Sequence, residues 1–219
     1  MMARRIRGLY AVTGETTDTA RLIDQVDAAL RGGARMVQYR NKNGSPRLRA
    51  DQASTLAVRV RAAGAIFVVN DSVDLAKQAG AHGVHLGRDD GAVEPARDRL
   101  GPDAVIGLSC YNQLDRALAA EQAGADYAAF GSFFPSGTKP DAARAPIELL
   151  REARAVLQIP IVAIGGIDSS NGAALVAAGA DALAVAGALF NADDIEAAAR
   201  TLSTLFQSFE RSESTITTR

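Results

Sequence analysis

The stretch Ala178-Gly179-Ala180-Asp181-Ala182-Leu183-Ala184-Val185 compresses a helix end, a turn and a strand into one short run, and the chain repeats that design. Ala63-Gly64-Ala65 leads into the apolar run 66–69, Ala79-Gly80-Ala81 into 84–86, and Ala123-Gly124-Ala125 into 127–130. Gly32-Gly33-Ala34 does the same ahead of Met36-Val37. A glycine just past a helix end takes the left-handed conformation without a Cβ penalty and so stops the helix sharply. The apolar runs that follow are continuous rather than alternating, which is the pattern of parallel strands covered by helices.

Working outward from these repeats gives eight strands, at 6–13, 34–39, 66–70, 83–86, 104–109, 127–131, 161–164 and 182–186. Helical patterns fill the intervals at 19–31, 47–63, 73–79, 92–100, 112–123, 146–157, 170–178 and 193–209, with Thr19, Asp71 or Ser72, Asn112 and Ser169 as candidate N-caps. Dividing 219 residues by eight leaves about 27 per βα unit, which predicts a compact α/β fold, a single (β/α)8 TIM barrel. An open doubly wound sheet is the rival, but eight regular units without a reversal favour closure. The barrel is expected over residues 1–209, with the Ser- and Thr-rich end 210–219 as a frayed tail.

Composition narrows the function classes. Hydrophobic residues make up 47% and aromatics only 5%, with no Trp, so the core must be built from Ala, Val, Leu and Ile. Twenty-four basic against 25 acidic residues give a net charge of −1, which argues against a dedicated nucleic-acid binder. No block of about 18 apolar residues suggests a membrane span, and the basic N-terminal residues are not followed by a secretory hydrophobic segment. A single cysteine, Cys110, cannot form an internal disulfide and fits a cytoplasmic protein. The oligomeric state is open, a homo-oligomer included.

In a barrel of this kind chemistry gathers where strands end. Those ends carry Gln38-Tyr39-Arg40-Asn41-Lys42, Asn70-Asp71, His85 followed by Asp89-Asp90, Ser109-Cys110-Tyr111, the loop Ser136-Gly137-Thr138-Lys139, Gly165-Gly166 and Ala186-Gly187. Cations (Arg40, Lys42, Lys139) and carboxylates (Asp71, Asp89, Asp90) thus share one rim, a donor set suited to a divalent cation bridging to a di- or polyphosphate. Alternation puts Gln38, Arg40 and Lys42 on one face. The glycine pairs after strands seven and eight leave backbone amides for a second phosphate. Plainer roles compete with each of these. Asp71 could cap the third helix, Asp89 and Asp90 could serve a helix dipole, His85 could be a packed core histidine, and 136–139 could be an ordinary turn.

The strings Val37-Gln38-Tyr39-Arg40-Asn41-Lys42, Asn70-Asp71-Ser72-Val73-Asp74-Leu75-Ala76, Gly83-Val84-His85-Leu86-Gly87 with Asp90, Ile106-Gly107-Leu108-Ser109, Pro135-Ser136-Gly137-Thr138-Lys139 and Ala163-Ile164-Gly165-Gly166-Ile167, in this order, resemble the thiamine-phosphate synthase family. The resemblance runs from Leu9 to about Leu189. It implies a transferase that joins two phosphorylated small molecules: hydroxymethylpyrimidine diphosphate loses pyrophosphate, and a thiazole phosphate nitrogen takes its place on the methylene carbon. It also implies that Gln38, Tyr39, Arg40, Asn41, Lys42, Asn70, Ser109 and Lys139 hold the pyrimidine diphosphate, with Arg40, Ser109 and Lys139 acting on the reacting groups. Asp71 and Asp90 would bind Mg²⁺, and Ser136, Gly137, Thr138, Gly166, Ala186 and Gly187 the thiazole phosphate.

The chain departs from the pattern in three places. Ser136 replaces a frequent Thr, Cys110-Tyr111 replaces a common Thr-His, and Gly187 replaces a usual Ser, which removes a hydroxyl from the thiazole-phosphate side. A thiazole tautomerase relative, a non-catalytic phospholigand-binding barrel and a phosphosugar epimerase or lyase using His85 are the alternatives. The retained charges at Arg40, Lys42, Asp71, Asp90 and Lys139 speak against the first two, and the third needs a clear acid/base pair of which His85 is the only hint.

Overall fold

A computed structural model of the chain describes residues 6–135 and 143–216. Eight parallel strands close on themselves in sequence order: β1 Gly8–Val12, β2 Met36–Tyr39, β3 Ile66–Asn70, β4 Gly83–Leu86, β5 Val105–Tyr111, β6 Tyr127–Phe130, β7 Ile161–Ile164 and β8 Ala182–Val185. β1 pairs with β8 through Gly8↔Ala182 to Ala11↔Val185, so the barrel is closed and has no free edge. The helices are α1 Thr19–Arg31, α2 Pro46–Ala62, α3 Val73–Ala79, α4 Val93–Leu100, α5 Leu114–Gln122, α6 Glu148–Val156, α7 Gly172–Ala177, a short α8 Gly187–Phe190 and α9 Ile195–Ile216. α8 is not foreseen by the sequence pattern. α9 is continuous to Ile216, beyond the expected boundary at 209; residues 217–219 lie outside the described residues.

The Ala-Gly-Ala repeats act as expected. After α2, the Gly64 N–H bonds the Arg61 carbonyl and the Ala65 N–H bonds the Val60 carbonyl, with Gly64 at φ 71. The same paired bonds close α1, α3, α5 and α7. The residue after the repeat adds a second function: Asp126 and Asp181 accept the N–H groups of Ile106 and Ile161, and His82 Nδ1 accepts that of Phe67. These three side chains tie each turn to the start of the preceding strand, which accounts for His82 structurally.

Capping differs in detail. Asp18, not Thr19, caps α1 by accepting the Arg21 N–H, while Thr19 Oγ1 accepts from Gln52 on α2. Ser72 caps α3 through the Leu75 N–H, which leaves Asp71 out of the capping role. Before α7, Asp168 rather than Ser169 accepts the free N–H groups, those of Ser170 and Asn171. α5 starts at Leu114 after Gln113, with no side-chain cap from Asn112.

Strand alternation sorts the core into two layers. Leu9, Ala11, Val37, Phe67, Val69, Val84, Leu86 and Ile106 face the helices, whereas Tyr10, Val12, Met36, Ile66, Val68, Val105, Tyr127 and Val162 fill the barrel. The inner layer has room for the Tyr127 ring only because position 107 is glycine: a Cβ there would fall 1.9 Å from Tyr127 Cζ. Carried to the strand ends, the inward phase delivers Gln38, Asn70, His85 and Ser109 to the C-terminal mouth.

Candidate active site

The inward-facing residues of β2, β4 and β5 are polar at the mouth and meet a polar pair from the barrel interior. Gln38 Nε2 lies 2.7 Å from the Tyr10 hydroxyl, which lies 2.9 Å from the Tyr127 hydroxyl. His85 Nδ1 is 2.9 Å from Tyr127 Oη, and His85 Nε2 is 2.9 Å from Ser109 Oγ. Both His85 nitrogens are therefore engaged, in keeping with a packed, hydrogen-bonded histidine. The Tyr10 and Tyr127 rings meet edge to face, and the His85 ring stacks on Tyr127.

Charge sits one layer further out. Lys42 Nζ is 2.7 Å from Asp71 Oδ2, and the Asp71 and Asp90 carboxyl groups neighbour each other closely enough to shift one another. The Asp90 carboxylate accepts the Gly87 N–H at 2.7 Å, which pins it at the end of β4 rather than at the start of α4. Asp71 holds an unusual backbone, φ 65, with its N–H donated to the His85 carbonyl, so its side chain turns toward Lys42 and Asp90. Burial pushes the Asp71 carboxyl up, but Lys42 and the neighbouring Asp90 carboxyl more than offset it and hold the group below the ordinary range. Asp90 moves the other way, raised by burial and by the negative Asp71 beside it. Two neighbouring carboxylates repel unless a proton or a cation lies between them.

Arg40 donates through Nη1 to Glu15 Oε1 at 3.1 Å, and Thr13 Oγ1 accepts its backbone N–H. Gln38, Arg40 and Lys42 share the mouth side as the alternation requires. Tyr39 and Asn41 turn the other way: the Tyr39 hydroxyl donates to Gln52 Oε1 at 2.8 Å, and Asn41 Nδ2 donates to Gln52 Oε1 and the Thr16 carbonyl. Their side chains thus brace the β2–α2 junction, and both residues line the cavity beside Lys42 and Asp71. Asn70 ends β3 half-buried, beside Lys42 and Asp71 in a cavity of about 240 Å³ that Arg49 also lines. Ser109 ends the inward run of β5, its carbonyl held by Arg116 Nε at 2.7 Å.

On the opposite side of the mouth Gly166 has φ 64 and lies against the loop after β6, where a Cβ would come 2.3 Å from the Pro135 carbonyl oxygen. Asn171 Nδ2 fixes the Gly166 carbonyl at 3.0 Å. Ala186 precedes α8 and Gly187 opens it, so the chain turns into a helix where the sequence pattern has only a strand end. Ser136, Gly137, Thr138 and Lys139 lie outside the described residues.

Sequence reasoning did not assign roles to Tyr10, Tyr127 or Glu15. The two tyrosines are visible as polar tips at inward strand positions; Glu15 has no local signal, being a loop residue brought to Arg40 by the β1–α1 turn. Among the described residues no set of three or more His, Cys, Asp or Glu could hold a metal. The Asp71–Asp90 pair suits a cation that takes its other ligands from phosphate and water, which is how Mg²⁺ is usually bound.

A closed (β/α)8 barrel with a carboxylate pair, cations and glycine-framed loops at its C-terminal mouth defines an α/β-barrel enzyme that handles phosphorylated substrates. Residues 9–189 match the family model described as thiamine monophosphate synthase, and the chain belongs to that family. It is 55% identical to the thiamine-phosphate synthase of Thiobacillus denitrificans over 91% of this chain and 94% of that one. It is 56% identical to that of Chromobacterium violaceum over 94% and 99%. Among solved structures it superposes on thiamine phosphate pyrophosphorylase from Pyrococcus furiosus with a TM-score of 0.84 and 36% identity, covering 95% of this chain and 98% of that one.

Proposed function

We propose that this chain condenses hydroxymethylpyrimidine diphosphate with thiazole phosphate, with Asp71 and Asp90 as the magnesium ligands and the mouth residues as the substrate cradle. Its activity as a thiamine-phosphate synthase rests on family membership and on curated synthases at 55% and 56% identity over nearly the whole chain. The observation that carries the site assignment is the Lys42–Asp71–Asp90 cluster, where an ammonium and two adjacent carboxylates stand at the ends of three neighbouring strand regions. Bound there, Mg²⁺ would supply charge neutralisation for a departing pyrophosphate.

The protein's own groups divide the remaining work. Gln38, Asn70 and Ser109 orient the pyrimidine, and Arg40, Lys42 and Lys139 neutralise the diphosphate. The bond from the methylene carbon to the diphosphate oxygen breaks with its electron pair leaving on oxygen. The electron-rich aminopyrimidine carries the resulting positive charge until the thiazole nitrogen donates its lone pair to the same carbon. Neither step requires a protein nucleophile, so buried Cys110 and doubly hydrogen-bonded His85 are no obstacle. Positioning and electrostatic stabilisation are the catalytic resources. Gly166, Ala186 and Gly187 hold the thiazole phosphate on the far side of the mouth, and the family resemblance adds Ser136, Gly137 and Thr138 to that role. No helix among the described residues is long and apolar enough to cross a membrane, and a free thiol at Cys110 suits a cytoplasmic setting.

The test is direct. Both precursors are mixed with the protein and Mg²⁺, and thiamine phosphate and pyrophosphate are measured. One-to-one formation of the two products, lost on chelation of Mg²⁺, is expected. Isomerisation of a thiazole carboxylate phosphate without any condensation would overturn the proposal in favour of a tautomerase.

A further inference from the structure

Five polar groups from five strands form one unbroken hydrogen-bonded chain across the barrel: Gln38, Tyr10, Tyr127, His85 and Ser109. Its ends are two of the residues assigned above to the pyrimidine substrate. Its middle is buried, with Tyr10 and Tyr127 each no more than 1% exposed. With the Gln38 amide donating through Nε2, one set of directions gives every buried proton along the chain an acceptor. An amide nitrogen can only donate, so the Tyr10 oxygen accepts from Gln38 and has one proton left to give. That proton goes to Tyr127 Oη at 2.9 Å, and the Tyr127 proton goes on to His85 Nδ1. An imidazole that accepts at Nδ1 carries its proton on Nε2, which donates to Ser109 Oγ. The Ser109 hydrogen then has no role inside the barrel and points its donor capacity into the mouth.

We propose that Tyr10 and Tyr127 are positioning residues that pass the polarity of the Gln38 amide through the barrel, fix the Nε2–H form of His85 and thereby present Ser109 to the substrate as a hydrogen-bond donor. Reversing the Gln38 amide would reverse all four bonds and leave Ser109 pointing inward as a donor to His85. The arrangement therefore links two substrate contacts on opposite sides of the mouth. Burial raises both phenols above their ordinary range, so each keeps the single proton that the relay requires. Gly107, which clears the space for the Tyr127 ring, is part of the same device. The proposal rests on the substrate roles given to Gln38 and Ser109 under the proposed function, but its structural half can be tested without any substrate.

Long-range ¹H–¹⁵N correlation spectra of the ligand-free protein, near pH 8 where imidazole is neutral, report which ring nitrogen carries the proton. The chain has two histidines, and His82 serves as an internal reference because its Nδ1 accepts the Phe67 N–H. The wild type should show both histidines as Nε2–H. Tyr127→Phe keeps the ring packing and removes the relay. It should shift the His85 pattern toward a mixture, leave His82 unchanged, and raise KM for the pyrimidine diphosphate roughly 10-fold at similar kcat. Tyr10→Phe, which only disconnects Gln38, should act in the same direction and serves if Tyr127→Phe fails to fold. An Nδ1–H His85 in the wild type overturns the proposal. So does a variant in which either the tautomer pattern or KM stays at its wild-type value. Failure of the functional reading would look different, as a wild type that makes no thiamine phosphate while its histidine spectrum stands as described.

Discussion

Lys42 Nζ and Asp71 Oδ2 stand 2.7 Å apart at the mouth, one from the end of β2 and the other from the end of β3. The lysine side chain is 51% exposed and the aspartate 27%, so the pair adds little to stability by itself. Its value is in readiness. On the proposed reading, a diphosphate with its cation would offer each member a better partner, phosphate for the ammonium and the metal for the carboxylate.

Asp71→Asn tests that exchange. The amide is nearly isosteric but a far poorer Mg²⁺ ligand, so kcat/KM should fall by roughly 100-fold or more while the thermal midpoint stays close to wild type. Asp89→Asn is the control, since Asp89 is exposed and lies outside the Lys42–Asp71–Asp90 cluster. Steady-state rates measured across a Mg²⁺ titration decide it. Equal losses for the two variants would count against the assignment.

Gly107→Ala probes the barrel interior. A methyl group there would sit 1.9 Å from Tyr127 Cζ and 2.3 Å from Cε1, distances that force the ring or the strand to move. Overpacking of this kind typically costs about 1–3 kcal/mol, which for a domain of this size is a thermal shift of several degrees downward. Calorimetry should show the drop, and because the Tyr127 hydroxyl moves with its ring, activity should fall as well.

Cys110 should be silent toward thiol reagents in the folded protein. It is fully buried, its Sγ–H directed at the Leu108 carbonyl, and burial pushes its thiol up to about 12 despite the nearby Arg116. The thiolate is the reactive form, so labelling by an aromatic disulfide at pH 8 should be negligible until denaturant unfolds the chain. Rapid stoichiometric labelling of native protein would contradict the burial.

Most of the barrel is legible in the sequence because its punctuation is local. Ala-Gly-Ala followed by an apolar run dictates where helices stop and strands start, and β3, β4, β7, α1 and α3 have the boundaries that pattern predicts. Candidate site residues are legible for a related reason: strand ends are where such a barrel exposes polar groups, so Asp71, Asp90, Gln38 and Ser109 could be picked by position alone. What sequence hides is pairing between elements. Nothing near Glu15 indicates that it meets Arg40, and nothing near Tyr10 indicates a partner 117 positions away at Tyr127. Ser72 caps α3 as expected, whereas at α1 and α7 the capping side chain lies one residue before Thr19 and Ser169, because Asp18, Thr19, Asp168 and Ser169 are similar candidates and tertiary partners such as Gln52 choose among them. α8 went unseen because four residues carry no helical period.

Gly187 is where the chain departs from the resemblance with a directly testable consequence. Family members usually carry Ser at this position, beside the site assigned to thiazole phosphate. Glycine is not required by the fold: a Cβ at 187 would meet nothing nearer than Asn191 Nδ2 at 3.5 Å, an ordinary contact, and the residue is not among those with positive φ. Gly187→Ser should therefore fold normally, with a thermal midpoint within a degree or so of wild type. Its new hydroxyl opens α8 next to Ala186 and can donate to a phosphate oxygen. A hydrogen bond to a charged group contributes about 1.5–3 kcal/mol, so KM for the thiazole phosphate should fall by roughly 10- to 100-fold, with KM for the pyrimidine diphosphate unchanged. Steady-state kinetics with each substrate varied in turn separates the two. A selective improvement on the thiazole side supports the placement of that phosphate between Gly166 and α8, whereas no change in either KM, in a variant as stable as wild type, puts the phosphate elsewhere.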